Sequence, residues 1–165
     1  MKKSPIMKYF ITLIFLMLGI SSQAQTYKLY QTDNIHNQLR LNTKTGEVYQ
    51  IQDDGQKFVI NYAVTPDNES ANRYMLYKTR NIWTFILLDR WTGKLWQCQF
   101  SVEGEEYMIT IPINTTTLSY SAKPVFNIEP MTSMFQFYLI NEENGEMWKF
   151  QWSTKGDDYR WIEKV

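Results

Sequence analysis

One segment of this chain is written twice, and a third time in looser form. Tyr27-Lys-Leu-Tyr-Gln-Thr-Asp-Asn34 matches Tyr74-Met-Leu-Tyr-Lys-Thr-Arg-Asn81 at an offset of 47 residues. The same offset of 47 aligns Leu41-Asn-Thr-Lys-Thr-Gly-Glu-Val-Tyr-Gln-Ile-Gln52 with Leu88-Asp-Arg-Trp-Thr-Gly-Lys-Leu-Trp-Gln-Cys-Gln99. A third copy lies 52 residues further on, as Ile140-Asn-Glu-Glu-Asn-Gly-Glu-Met-Trp-Lys-Phe-Gln151, with Phe126-Asn-Ile128 in place of Tyr74-Met-Leu76. A repeat constrains folding more than composition does. Each copy must form the same supersecondary unit, and copies bury their apolar faces on one another.

Side chains within a copy alternate with period two and are rich in β-branched and aromatic types, which predicts strands. The second copy divides into four, over about 73–78, 82–89, 94–101 and 107–112. Asp89-Arg-Trp-Thr-Gly93 separates its middle pair, and Gly93 can supply the positive φ of a tight hairpin. Gly46 and Gly145 end the sister turns, while Asn42, Asp89 and Asn141 can hydrogen-bond the turn backbone. Polar connectors at 65–70 and 114–117 separate the copies, and no helical period follows residue 24. The expectation is one all-β domain over 25–165, with three repeats at about 26–64, 73–113 and 125–165. Three four-stranded units suit a β-trefoil, in which three hairpins cap a six-stranded barrel. The alternative is propeller-like blades. Propellers close with four to eight blades, so three would need a second chain or an unusual closure.

Residues 1–24 read as an address. Lys2, Lys3 and Lys8 precede an apolar stretch from Tyr9 to Ile20, and Ser22 and Ala24 are small, the pattern of a signal peptide cleaved before Gln25. Twelve apolar residues make a helix of about 18 Å, too short for a hydrocarbon core of roughly 30 Å. The expected product is exported, periplasmic or secreted, with no membrane insertion after cleavage. Its charge is 14 basic against 17 acidic side chains.

Composition excludes several classes of function. The full chain carries 17 basic and 17 acidic side chains, without the basic surplus that a nucleic-acid groove needs. One cysteine permits no disulfide within the chain and no multi-cysteine metal centre, and one histidine permits no multi-histidine cage. No metal and no cofactor is expected. No phosphate-binding glycine loop, nucleophile elbow or His-Glu-x-x-His is present. Cys98 shares a face with Trp96 and Phe100 and reads as a buried, inert thiol. His36 occupies the position of Trp83 and Phe135 and reads as a surface residue. The carboxylates Asp53, Asp54, Glu103, Glu105, Glu106, Asp157 and Asp158 recur where the third and fourth strands connect, as solvated turns do. The expectation is no catalytic residue and no enzyme.

The candidate binding residues come from differences between copies. In the first copy His36, Gln38 and Arg40 share a wet face. The matching face carries Trp83, Phe85 and Leu87 in the second copy, and Phe135, Phe137 and Leu139 in the third. Rings on such a face either pack under other parts of the chain or form an exposed patch that marks a binding surface. Trp91 lies inside a hairpin turn where the sister copies carry Lys44 and Glu143. Turn tips are wet, so Trp91, with Trp83, Phe85, Phe135 and Phe137, is the expected partner-binding set. On that expectation Trp91→Ala spares stability.

The run Asn81-Ile-Trp-Thr-Phe-Ile-Leu-Leu-Asp-Arg-Trp-Thr-Gly-Lys-Leu-Trp-Gln-Cys-Gln99 resembles a repeat of small exported proteins of Bacteroidetes-type bacteria, and the leader ending Ser-Gln-Ala-Gln fits that group. Its Leu-Asp-x-x-Thr-Gly-x-x-Trp core also resembles the hairpins of quinoprotein-type propeller blades. The first resemblance supplies no catalytic residues. It implies a non-catalytic module that binds a protein partner, an envelope protein or an interbacterial toxin that it neutralises as an immunity protein. The alternative is a carbohydrate-binding module, which predicts similar aromatics at equivalent places in several copies.

Overall fold

The computed structural model describes residues 25–65 and 70–165; the leader expected over 1–24 lies outside them. The first unit contains β1 (Tyr27–Gln31), β2 (Asn37–Asn42), β3 (Val48–Gln52) and β4 (Lys57–Asn61). The second contains β5 (Tyr74–Lys78), β6 (Thr84–Asp89), β7 (Leu95–Gln99) and β8 (Ile109–Asn114). The third contains β9 (Phe126–Pro130), β10 (Gln136–Asn141), β11 (Met147–Gln151) and β12 (Trp161–Lys164). Each unit is an antiparallel meander that forms its own four-stranded sheet, here sheets I, II and III. The all-β class and the three repeats are as the sequence implies. The barrel of a trefoil is not formed among the described residues. It would need ladders that run from one unit to another, and every ladder here stays within its own sheet.

The central hairpin has the same chemistry three times. The Asn42, Asp89 and Asn141 side-chain oxygens accept the N–H of Lys44, Trp91 and Glu143, each at 3.0 Å. The N–H groups of Gly46, Gly93 and Gly145 donate to the Asn42, Asp89 and Asn141 carbonyls at 3.0, 2.9 and 2.8 Å. All three glycines have positive φ, +78°, +74° and +76°, a region that L side chains enter only with strain. In β3 and in β7 the register slips at one equivalent point, Val48/Tyr49 and Leu95/Trp96.

The sheets stack face to face in chain order. β2 packs on β5, β4 on β7 and β8, β6 on β9, and β8 on β12. Sheet II is the middle layer, and all six residues of β6 are buried. Phe85, Leu87 and Cys98 join Leu39, Leu41 and Val48 of sheet I in one core. Ile86, Leu88 and Leu95 face the other way and join Phe126, Leu139 and Phe150 of sheet III in a second. A strand buried on both faces loses its polar alternation, which is why Thr-Phe-Ile-Leu-Leu-Asp reads as continuously apolar.

This layering explains the asymmetry between copies and corrects part of the expected binding set. The face that is wet in the first unit is the free end of the stack, because among the described residues no sheet packs on that side of sheet I. In sheets II and III the equivalent face packs on the sheet before it. Phe85 is therefore 1% exposed and Phe137 4%, and both are core residues.

Three joints recur between successive sheets. The Thr43 carbonyl accepts the Tyr74 N–H at 2.9 Å, and the Arg90 carbonyl accepts the Phe126 N–H at 3.0 Å. The buried Gln50 amide donates to the Ser101 carbonyl at 2.8 Å and accepts the Ser101 N–H at 3.4 Å. The equivalent Gln97 accepts the Ser153 N–H at 3.2 Å. Tyr30 Oη accepts the Leu76 N–H at 3.3 Å, and the equivalent Tyr77 hydroxyl donates to Asn127 Oδ1 of sheet III at 2.5 Å.

Candidate functional site

The β1–β2 type turn of each unit ends in a side chain that is brought against the start of the third-to-fourth strand connection. In the second unit Thr79 Oγ1 donates to the Asn81 and Thr84 carbonyls at 3.1 and 2.8 Å, and Asn81 Oδ1 accepts the Trp83 N–H at 2.9 Å. These bonds fix the turn and aim Trp83 along the rim of the sheets. The Phe100 N–H then donates to the Trp83 carbonyl at 3.0 Å, one step beyond the β6–β7 ladder. The third unit repeats that bond between Trp152 and Phe135 at 3.0 Å, and the first between Asp53 and His36 at 3.1 Å.

In two units this junction holds an aromatic pair. Trp83 and Phe100 lie 5.3 Å apart between centroids, tilted by 59°, and Phe135 and Trp152 lie 5.0 Å apart, tilted by 50°. Tilted pairs at this spacing place a ring edge on a ring face. Phe100 and Trp152 are 1% and 0% exposed and form the floor, whereas Trp83 is half-buried and Phe135 is 36% exposed. A 3-10 helix closes each side, Glu105–Tyr107 and Asp157–Tyr159. It presents Tyr107 and Tyr159, both 50% exposed. The Gln99 amide donates to the Tyr107 carbonyl at 3.3 Å and the Gln151 amide to the Tyr159 carbonyl at 3.0 Å.

The result is two clefts of about 170 and 190 Å³, made of equivalent residues: Trp83, Phe100, Gln99 and Tyr107, then Phe135, Trp152, Gln151 and Tyr159. Between them a depression of about 310 Å³ shares Trp83 and Gln99 with one cleft and Ser153 and Lys155 with the other. The clefts therefore lie along one furrow over the rims of sheets II and III. Glu103 lines the first cleft and Lys155 the second, so the ends differ in charge. No protein-family model matches the chain, and no curated protein or solved structure matches it.

The first unit has the polar version of the same junction. His36 Nδ1 lies 2.8 Å from Asp53 Oδ2, with the two side chains 72% and 65% exposed. The surrounding hollow is lined by Asn34, Asn37, Gln52, Asp54 and Val102, with no hydroxyl or thiol for this pair to activate. Cys98 does not line it and is fully buried, and burial pushes its thiol up to about 12 from 9.0, which withholds the reactive thiolate. Asp53, Asp54, Glu103, Glu105, Asp157 and Asp158 are exposed, as solvated turns. Among the described residues, no group of three or more His, Cys, Asp or Glu side chains could hold a metal ion.

Of the expected binding residues, Trp83 and Phe135 stand at the furrow, one in each cleft. Trp91 does not belong to a surface. It is 7% exposed, covered by the connector that follows β8, whose Leu118 and Ser121 N–H groups donate to the Thr92 and Trp91 carbonyls at 2.9 and 3.1 Å. The Arg73 guanidinium lies 4.9 Å over its ring and is held there by Asp89 through two hydrogen bonds of 3.1 and 2.7 Å. Sequence reasoning missed Tyr107, Tyr159, Gln99 and Gln151. A signal for all four was in the chain: Glu-Glu-Tyr107 and Asp-Asp-Tyr159 recur at the offset of 52, and Gln52, Gln99 and Gln151 end the three repeats.

Proposed function

We propose that this chain is an exported, non-catalytic binding module whose ligand is a carbohydrate chain laid along the furrow of sheets II and III. One observation carries the reading: two aromatic clefts built from equivalent residues stand side by side on one rim. A polymer of similar sugars presents the same apolar ring face at regular intervals. Paired aromatic sites with a side-chain amide beside each ring match that chemistry, because C–H faces stack on the rings and hydroxyls bond the amide. The stacking of sheets in chain order also supports blades of the propeller type over a trefoil.

A second reading has its own support. Tyr27 and Leu29 are 50% and 57% exposed on the free face of sheet I, an apolar surface of the kind that protein partners cover. A protein ligand there, including a toxin neutralised by an immunity protein, fits the resemblance to small exported repeat proteins.

Titration calorimetry of the exported protein against cell-envelope and plant polysaccharide fragments tests the first reading. Tyr107→Ala and Tyr159→Ala remove half-exposed rings, so each should leave the thermal melt nearly unchanged while weakening binding by about 1 kcal/mol. Absence of binding to any glycan, or binding indifferent to both substitutions, would refute the furrow as a sugar site.

A further inference from the structure

The joints that tie sheet I to sheet II, and sheet II to sheet III, have a third set of partners on which nothing packs among the described residues. Sheet III carries Glu129 at the position of Tyr30 and Tyr77, and Lys149 at the position of Gln50 and Gln97. On the opposite end of the stack, sheet I carries Leu29 at the position of Leu76 and Ile128, and Asp54 at the position of Ser101 and Ser153. The alignment at Asp54 rests on structure: the Asp53 N–H bonds the His36 carbonyl just as Phe100 bonds Trp83 and Trp152 bonds Phe135.

We propose that these two free faces pair with a second copy of this chain, so that sheet III of each protomer seats on sheet I of its partner. The charges at the joint positions are opposite. Where Gln50 and Gln97 clasp a serine backbone inside the chain, Lys149 of one copy meets Asp54 of the other. Glu129, in the place of the Tyr30 hydroxyl, meets the Leu29 backbone N–H and the Arg40 side chain beside it, since Leu29 and Arg40 are register partners. Both faces keep much of the apolar content of the buried seams. Tyr138, Ile140 and Met147 stand where Leu39, Leu41 and Val48 stand in sheet I. Tyr27, Tyr49 and Ile51 stand where Tyr74, Trp96 and Cys98 stand in sheet II.

In the single chain the two cationic members rest on aromatic rings, while Asp54 accepts two local hydrogen bonds from Gln56, at 3.0 and 2.7 Å. The Arg40 guanidinium lies 4.9 Å over Tyr49, and Lys149 Nζ lies 5.3 Å over Trp161. Such contacts leave both charges at the open faces. Pairing both ends at once gives a two-fold dimer of six sheets, a number within the range at which propeller-like rings close. A head-to-tail stack that failed to close would instead grow without limit.

Sedimentation of the purified exported protein at about 50 μM, well above the Kd of a micromolar interface, tests this. The expected result is one species of twice the chain mass that dissociates as salt is raised. Lys149→Asp and Asp54→Lys should each weaken the dimer by roughly ten-fold or more through like charges at the joint. Combining them should restore it, with the opposite charges exchanged. Thermal melts of the variants at low concentration check that the fold is kept, including the turn in which the exposed Asp54 accepts the Gln56 N–H. A monomer at this concentration, a series of ever larger species, a dimer indifferent to both reversals, or a double variant that stays dissociated would each overturn the proposal.

Discussion

Trp91 lies at a hairpin tip and is nevertheless one of the core aromatics. What turns it inward is its neighbourhood: Arg73, pinned by Asp89, sits over one ring face, and the 114–125 connector covers the turn. Truncating a buried indole removes packing and leaves a cavity. Trp91→Ala should therefore destabilise the protein by about 3 kcal/mol, where a wet turn residue would change it by under about 0.5 kcal/mol. Urea denaturation of the two proteins measures the difference, and a near-zero value would mean that the ring is dispensable to packing. At this scale the sequence misled for a definite reason. Lys44 and Glu143 at the sister positions report how each turn is covered, and that depends on the connector that follows, not on the turn itself. Phe85 and Phe137 misled in the same way, because the polar Gln38 at their sister position marks the end of a stack and not a surface common to all three units.

The hairpin shows how one element acquires three environments. Its backbone is the same in every unit, with an Asn or Asp opening the turn and a glycine closing it. A Cβ added at Gly93 would meet Leu118 Cδ1 at 3.1 Å and Phe126 Cε1 at 3.2 Å, whereas one added at Gly145 meets nothing within 4 Å. Both positions carry the strain of positive φ, about 1–2 kcal/mol for an alanine. Gly93→Ala adds crowding of a packed seam, typically about 1–3 kcal/mol more. Gly93→Ala should thus cost clearly more stability than Gly145→Ala in parallel melts. Equal costs would show that the connector yields freely around the turn. Strands, turns and glycines were all legible here, because period two and positive φ are local requirements written into local residues. The covering of each turn was not, because it is made by residues up to one connector away.

For the whole molecule, stability resides in two seams with a shared middle sheet. Each seam buries an acid in its neutral form. Burial holds Cys98, between sheets I and II, at about 12 against 9.0, and Tyr77, between sheets II and III, at about 12 against 10.0. A folded pKa above the unfolded one stabilises the folded chain fully while both states are protonated. That contribution is lost as pH rises from the unfolded value through the folded one. The melting temperature should accordingly fall as pH rises from about 9 toward 12. Cys98→Ala and Tyr77→Phe, each removing one such acid, should flatten that fall when melts are compared at equal steps of pH. A slope unchanged in both would place the alkaline sensitivity elsewhere.

By itself the sequence determined the unit: four short strands, a glycine-closed hairpin, three copies, an all-β chain. Those properties follow from periodicity, turn chemistry and internal repetition, which act over a few residues at a time. Only the tertiary structure decided that the units form separate sheets stacked in order, that sheet II is buried on both faces, and that Trp83 and Phe135 join Tyr107 and Tyr159 in paired clefts. A period of two states that a strand has two faces. Which face is covered, and by what, is settled by where its sheet falls in the stack.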